Sequence, residues 1–195
     1  MIYVICIIIS YLLGSIPFGV IIVRLFKNIN LQKIGSGNIG ATNVMRVGGL
    51  RMAGLVWFLD MFKAVAAVLL GRYVGGVAFS VWCGFAAIVG HCFPVWLNFH
   101  GGKGISALFG VSLAVNPILF VVCGIEWLFV ALSSGYSSLG ALVVFCLIPV
   151  FGFLIGIKIG LAFLAISLLC FIRHHENISR LLHGKESKIE WKWKK

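Results

Sequence analysis

The chain has 195 residues, is 61% hydrophobic and carries five acidic residues against 16 Lys and Arg, a balance that no soluble domain of this length can hide in one core. Its net charge of +11 would suit nucleic acid. The cations, however, sit in two patches flanking apolar runs, so a membrane surface and anionic small molecules are the expected partners, and nucleic acid is not. Six cysteines are scattered singly with no C-x-x-C and no metal-ligand spacing; they read as small buried hydrophobes, and no metal or cofactor is expected.

The first apolar run precedes Arg24 with 23 uncharged residues, too long for a signal-peptide core and lacking a basic start and a cleavage site. It predicts a transmembrane helix over 2–23. Five basic residues and no acid then lie between Arg24 and Arg51, and the positive-inside rule places this segment in the cytoplasm and the N-terminus outside.

Within it, "GSGNIGATNVMRVGG" (residues 35–49) combines Gly35, Gly37 and Gly40, which let backbone approach a ligand, with the polar Ser36, Asn38, Thr42 and Asn43. A helix beginning near Asn38 would add free N–H groups and set Asn43 and Arg46 on one face, an arrangement that suits a phosphate. The plain alternative is a flexible linker.

Two spans follow, over 52–71 and 74–96. The first contains Asp60 and Lys63 at i, i+3, expected to pair as a structural bridge because a lone charge in the membrane is costly. The second contains His91, expected as a helix-to-helix hydrogen bond, and returns the chain to the cytoplasm at "HGGKG", where Lys103 stands among Gly101, Gly102 and Gly104. The run is not a nucleotide P-loop, since Leu97 and Gly104 occupy two of its defining positions. It still offers a lysine on backbone able to wrap an anion.

The 28 residues from Ile105 to Leu132 would make a single helix of about 42 Å, too long for one crossing. Asn116-Pro117 in their middle predicts a turn, because a residue before proline is biased out of the α region. The second half then crosses at 105–115, 118–132, 138–156 and 159–172, some of these short enough to thin the bilayer or to pair as a re-entrant segment. Glu126 has no local cation and is left without a role. The whole is expected to be one domain, residues 1–195: an all-α integral membrane protein of about seven transmembrane helices, with the C-terminus in the cytoplasm. "SSGYSS" (133–138) joins the other polar connections on the cytoplasmic face. After the last span, Arg173, Asn177 and Arg180 fall at i, i+4, i+7 with His174 beside them; they predict one helical stripe, or else a snorkelling helix end.

The chemistry is narrowed by what is missing. Asp60 is the sole aspartate, and no histidine precedes it at the H-x-x-x-x-D spacing of one acyltransferase class; a G-x-S-x-G elbow is also absent. Cations, amides, hydroxyls and histidines remain, an inventory fit for handling phosphates. A transporter for a phosphorylated metabolite would use similar inward basic loops, but few polar residues mark a path across the bilayer and no inverted repeat is visible.

"SGNIGATNVMR", "GHCFPVWLNFHGGKG" and "RHHENISRLLHGKE", in that order and with "LGSIPFG" and "LDMFK" before the second, closely resemble the signature regions of the bacterial acyl-phosphate-dependent glycerol-3-phosphate acyltransferases. The similarity runs over essentially the whole chain. It implies a seven-helix enzyme of the bacterial inner membrane that moves an acyl group from acyl phosphate to the 1-hydroxyl of glycerol 3-phosphate at the cytoplasmic face, without direct use of acyl carrier protein or coenzyme A. Carried over by motif, the catalytic candidates are His174, Lys103, Ser36, Asn38 and Asn177. The substrate-binding candidates are Gly37, Gly40, Thr42, Asn43, Arg46, Gly102, Gly104, Ser138, Arg173 and Arg180. Ser138 lies in "YSSLG", which departs from the commoner "RYVSL" at Gly135 and Ser137. The expected roles are Lys103 and Arg46 on the phosphates, Ser36 and Asn38 with loop amides at the oxyanion, Arg173, Asn177 and Arg180 on glycerol 3-phosphate, and His174 as general base, with a substrate phosphate oxygen as its rival.

Overall fold

The computed structural model describes residues 1–189, and all regular elements among them are helical. In chain order they are α1 (Ile2–Ser15), α2 (Phe18–Lys27), α3 (Ala41–Cys92), α4 (Ile105–Val115), α5 (Pro117–Ser134), α6 (Ser137–Ile155), α7 (Ile157–Arg173) and α8 (His175–Leu182), with short 3-10 turns at Leu31–Lys33 and Val95–Leu97.

The first expected span is two helices, because Ile16-Pro17 interrupts it: Ile16 is extended (φ −61°, ψ 115°) ahead of the proline. α3 is in turn three pieces. Gly49 (φ 80°) ends a short arm over 41–48, and Gly76 (φ 73°, ψ −173°) lets the chain double back between limbs 50–74 and 77–92. Only glycine reaches that backbone region without strain, so the turn sits at Gly75-Gly76 rather than at the Arg72-Tyr73 boundary expected from charge.

The turn at Asn116-Pro117 is present as expected. Asn116 is extended and its side chain accepts from the Ile118 amide at 2.9 Å, capping α5, while Pro117 occupies the first helical position. α4, with 11 residues, reaches only about 17 Å, short of a bilayer's roughly 30 Å hydrocarbon core. Among the described residues the apolar segments number seven when α1–α2 and the two limbs of α3 are each counted as crossings, the number that the sequence predicted. α7 and α8 are bent by 60° at His174, so the single stripe expected from Arg173 to Arg180 is broken.

Lipid offers the helices no hydrophobic drive to associate, so small residues bring backbones together. A Cβ on Gly90 would fall 2.1 Å from the Tyr11 carbonyl oxygen, and one on Gly110 would fall 2.1 Å from that of Met61; these contacts seat α1 and α4 against α3. Phe145, Phe163, Ile88, Leu108 and Ile166 fill the centre of the bundle. Their counterparts Phe129, Leu154 and Ile157 are exposed on the outside, the distribution required of a lipid-facing surface. A second cluster, Val23, Leu31, Ile39, Val44 and Val56, clamps the first polar loop to the end of α2. Five cysteines are buried, and Cys146 is exposed.

Candidate active site

The three polar segments meet at one end of the bundle. The first loop is held by Asn43: its Nδ2 donates to the carbonyls of Ile34 (3.0 Å) and Asn38 (2.9 Å) and approaches that of Leu31 (3.4 Å), while its Oδ1 accepts from the Ser36 amide (3.0 Å). Asn43 is 2% exposed and spends its hydrogen-bonding capacity on the loop. Asn43 is therefore a latch of the loop, and it also lines the cavity that the loop borders. The helix starts at Ala41, with Gly40 as N-cap, three residues later than expected. Asn38 Oδ1 accepts from the Gly40 amide at 2.8 Å, closing the turn. The Ala41 and Thr42 amides of the first turn consequently have no partner inside the helix, the condition under which a helix start favours anions. Gly35 and Gly37, at φ 64° and 69°, form the bend that presents Ser36.

The second loop is braced from both sides. Gly101 and Gly102 donate to the carbonyls of Cys92 (3.1 Å) and His91 (2.9 Å). Arg173 reaches across from α7 to donate through Nε to the Gly102 carbonyl (3.2 Å) and through Nη2 to that of Gly101 (3.0 Å), with its guanidinium 5.1 Å from the Phe93 ring centre. Arg173 thus grips the backbone of the loop. Gly104 turns the chain into α4 at φ 89°, and a Cβ there would fall 2.6 Å from Cys170 Sγ. Lys103, left between these braces, donates to Asn177 Oδ1. Burial, then the nearby Arg180 charge, lowers its pKa from the ordinary lysine value.

His174 sits in the break between α7 and α8, 3% exposed. Its Nδ1 stands 2.8 Å from the Cys170 carbonyl and its ring packs edge-on to Phe145 at 5.3 Å. A carbonyl only accepts, so the proton lies on Nδ1 and Nε2 keeps its lone pair. Burial is the main cause that pushes the pKa down to about 4, with Lys103 among the lesser ones, which keeps the imidazole neutral at physiological pH.

Past α8 the chain folds back, anchored by the Ile189 amide on the Gly135 carbonyl at 2.8 Å, and delivers Glu186. Its Oε1 accepts from Ser138 (2.8 Å) and Asn177 (2.7 Å), and its Oε2 from Arg180 (2.6 Å). Burial works to raise the Glu186 pKa, but those three hydrogen bonds outweigh it and hold the carboxyl below its usual value.

These residues enclose a cavity of about 850 Å³. Ser36, Asn38, Gly40, Thr42, Asn43, Arg46, Lys103, Gly104, Ser138, His174, Asn177 and Arg180 all line it; Gly37, Gly102 and Arg173 stand behind it. Away from the cations the wall becomes apolar, built on Trp57, Phe109 and Phe120, which contact edge to face at 5.8 and 6.0 Å. Glu186, His91 and this aromatic wall were missed as site residues. Glu186 lay inside the third quoted motif, which was its only signal, whereas the aromatics look like any lipid-facing residue in the sequence.

A cavity that is cationic at one end and greasy at the other can hold an anionic head and an apolar chain together. The sequence profile described as "Glycerol-3-phosphate acyltransferase" matches residues 4–184. Relatives carrying that name include one from Sinorhizobium medicae, 44% identical over 185 residues and covering 94% of this chain and 91% of its own. Another, from Agrobacterium fabrum, is 44% identical over 182 residues and covers 93% and 89%. The crystal structure of PlsY (YgiH), an integral membrane glycerol 3-phosphate acyltransferase, in its glycerol 3-phosphate form matches with a TM-score of 0.92 at 35% identity over 97% of this chain and 96% of that one. Its lysophosphatidic acid form matches with a TM-score of 0.90, again at 35% identity, over 96% and 95%. With both sequence and fold shared from end to end, the chain belongs to the glycerol-3-phosphate acyltransferase family of integral membrane proteins.

Proposed function

We propose that this protein transfers a fatty acyl group from acyl phosphate to the 1-hydroxyl of glycerol 3-phosphate, releasing phosphate and 1-acyl-glycerol 3-phosphate as a step in phospholipid synthesis. The observation that carries the proposal is the single cavity in which Lys103, Arg46, Arg180 and His174 face the same space as Trp57, Phe109 and Phe120.

Acyl phosphate is a mixed anhydride with a good leaving group, so no covalent enzyme intermediate is required and positioning supplies most of the acceleration. Lys103 and Arg46 hold the phosphates. Asn177 and Arg180 orient glycerol 3-phosphate, with Ser138 beside them. The 1-hydroxyl oxygen attacks the acyl carbonyl carbon while His174 Nε2 accepts its proton. Ser36, Asn38 and the free amides at the start of α3 stabilise the oxyanion that forms. The carbon–oxygen bond to phosphate then breaks and phosphate departs with the electron pair.

The basic segment from Arg24 to Arg51 and the basic tail support placing this site on the cytoplasmic face of the bacterial inner membrane, with the N-terminus outside. Residues 1–195 act as one domain without a cofactor. The donor is tested by offering purified protein glycerol 3-phosphate with palmitoyl phosphate, palmitoyl-coenzyme A or palmitoyl-acyl carrier protein in separate reactions. Product from palmitoyl phosphate alone is expected; equal or faster turnover of a thioester overturns the donor assignment.

A further inference from the structure

Beneath the second loop, three polar side chains unused by that mechanism meet inside the bundle. Asp60 (1% exposed) and Lys63 (5%) lie on one limb of α3, and His91 (3%) lies on the other. Lys63 Nζ is 2.7 Å from Asp60 Oδ1 and donates to the Ile16 carbonyl at 2.8 Å, in the break between α1 and α2. That much is an ion pair joining helices.

His91 extends the cluster towards the cavity, whose wall it forms in part. Its Nδ1 is 3.5 Å from the same Asp60 oxygen, a gap that a few tenths of an ångström of side-chain motion closes to a hydrogen bond. Its opposite edge stands against Gly102: a Cβ built on that glycine would fall 2.0 Å from His91 Nε2. The Gly102 amide also donates to the His91 carbonyl at 2.9 Å. Gly102 therefore rests on His91 with both its amide and its Cα, and Lys103 is the next residue. A carboxylate at Nδ1 favours the tautomer protonated there and fixes the ring plane.

We propose that Asp60 is a positioning residue for the active site: acting through His91, it sets the Gly102 backbone and so the direction in which Lys103 enters the cavity. A buried ion pair is weak evidence of stabilisation, since apolar or neutral isosteres often serve as well. An arrangement that aims a substrate-holding lysine has a stronger reason to be there, because a displacement of about 1 Å at a reacting centre costs on the order of 100-fold in rate. The inference rests on the reading of Lys103 as a phosphate-holding residue.

Two sets of variants test it. Asp60→Asn/Lys63→Met together remove both charges while keeping shape, so that neither is left buried alone. His91→Asn keeps a polar atom near the Nδ1 position and withdraws the edge against Gly102, whereas His91→Gln restores a polar atom near Nε2. Melting temperature in detergent is read beside kcat and KM, with wild type in the same assay. The expected result for the double variant and for His91→Asn is a melting temperature within a few degrees of wild type with kcat/KM down about 10-fold or more, and only partial recovery in His91→Gln, which regains the edge against Gly102 without the contact to Asp60. Unchanged kcat and KM per folded molecule in His91→Asn, or an effect confined to melting temperature, overturns the proposal. Folded wild-type protein that turns nothing over overturns instead the functional reading beneath it.

Discussion

Lys103 donates to Oδ1 of Asn177, 74 residues further along the chain, and this bond joins the glycine loop to α8. The same Asn177 donates to Glu186, so the cation, the amide and the carboxylate form one connected chain across the polar end of the cavity. Lys103→Ala is expected to lower kcat/KM by about 100-fold or more, with Lys103→Arg between that and wild type because a fork replaces a point charge. Combining Lys103→Ala with Asn177→Ala should cost less than the sum of the two single losses, as for any bonded pair. Additive losses in steady-state kinetics would show that the two act separately.

His174 and Glu186 make opposite chemical contributions but the same acid response. In the unfolded chain His174 titrates near its ordinary 6.5, and in the fold near about 4; the unfolded state therefore takes up the proton first, and stability falls as pH drops from 6.5 towards 4. Glu186, held below its ordinary 4.5, adds to the loss below that pH. Thermal melting from pH 7 to pH 4 should show the decline, and His174→Gln should flatten its upper part. In catalysis, His174→Ala should reduce the rate by about 100-fold. If His174 is the base, the acid limb of kcat lies well below pH 6; a limb at about 6, the second ionisation of a phosphate monoester, that survives in His174→Ala would assign the proton to substrate instead.

The latch formed by Asn43 can be tested directly. Asn43→Ala leaves the Ser36 amide and the carbonyls of Ile34 and Asn38 without their partner, a loss of about 1–3 kcal/mol if they stay buried. The expected outcome is a lowered melting temperature together with weakened activity. An unchanged melting temperature with a raised KM alone would return Asn43 to substrate contact.

Orientation can be checked at the α4–α5 turn. In a background with the six native cysteines replaced, Asn116→Cys should react with a membrane-impermeant maleimide added outside intact cells, and Ser134→Cys should not. The opposite labelling pattern would invert the topology. The first substitution also removes the cap on α5, worth about 1 kcal/mol, so expression is compared at the same time.

The helical architecture was readable where backbone chemistry is local. Asn116-Pro117 could hardly continue a helix, and the length of the apolar run demanded a break there. The hinge at Gly75-Gly76 was less visible, because charge at Arg72 suggested a boundary and a glycine pair announces its conformation only once the chain is seen to turn. The break at Pro17 and the bend at His174 were obscured by uninterrupted apolar or helical periodicity. Within the site, the residue types pointed to phosphate chemistry, but the direction of each side chain was not written in the motifs. Asn43 and Arg173 are an amide and a guanidinium like those that hold phosphates, yet in the fold both are bonded to loop carbonyls. Glu186 joins the site only because the tail returns to Gly135, a long-range contact with no periodic trace.

The most direct test of the account is phosphate release from palmitoyl phosphate by purified protein in detergent, with and without glycerol 3-phosphate, beside Lys103→Ala. The account predicts release that depends on glycerol 3-phosphate, is matched by 1-acyl-glycerol 3-phosphate and is nearly abolished in the variant. Folded wild-type protein that releases no phosphate, or a Lys103→Ala protein that releases it at the wild-type rate, would contradict it.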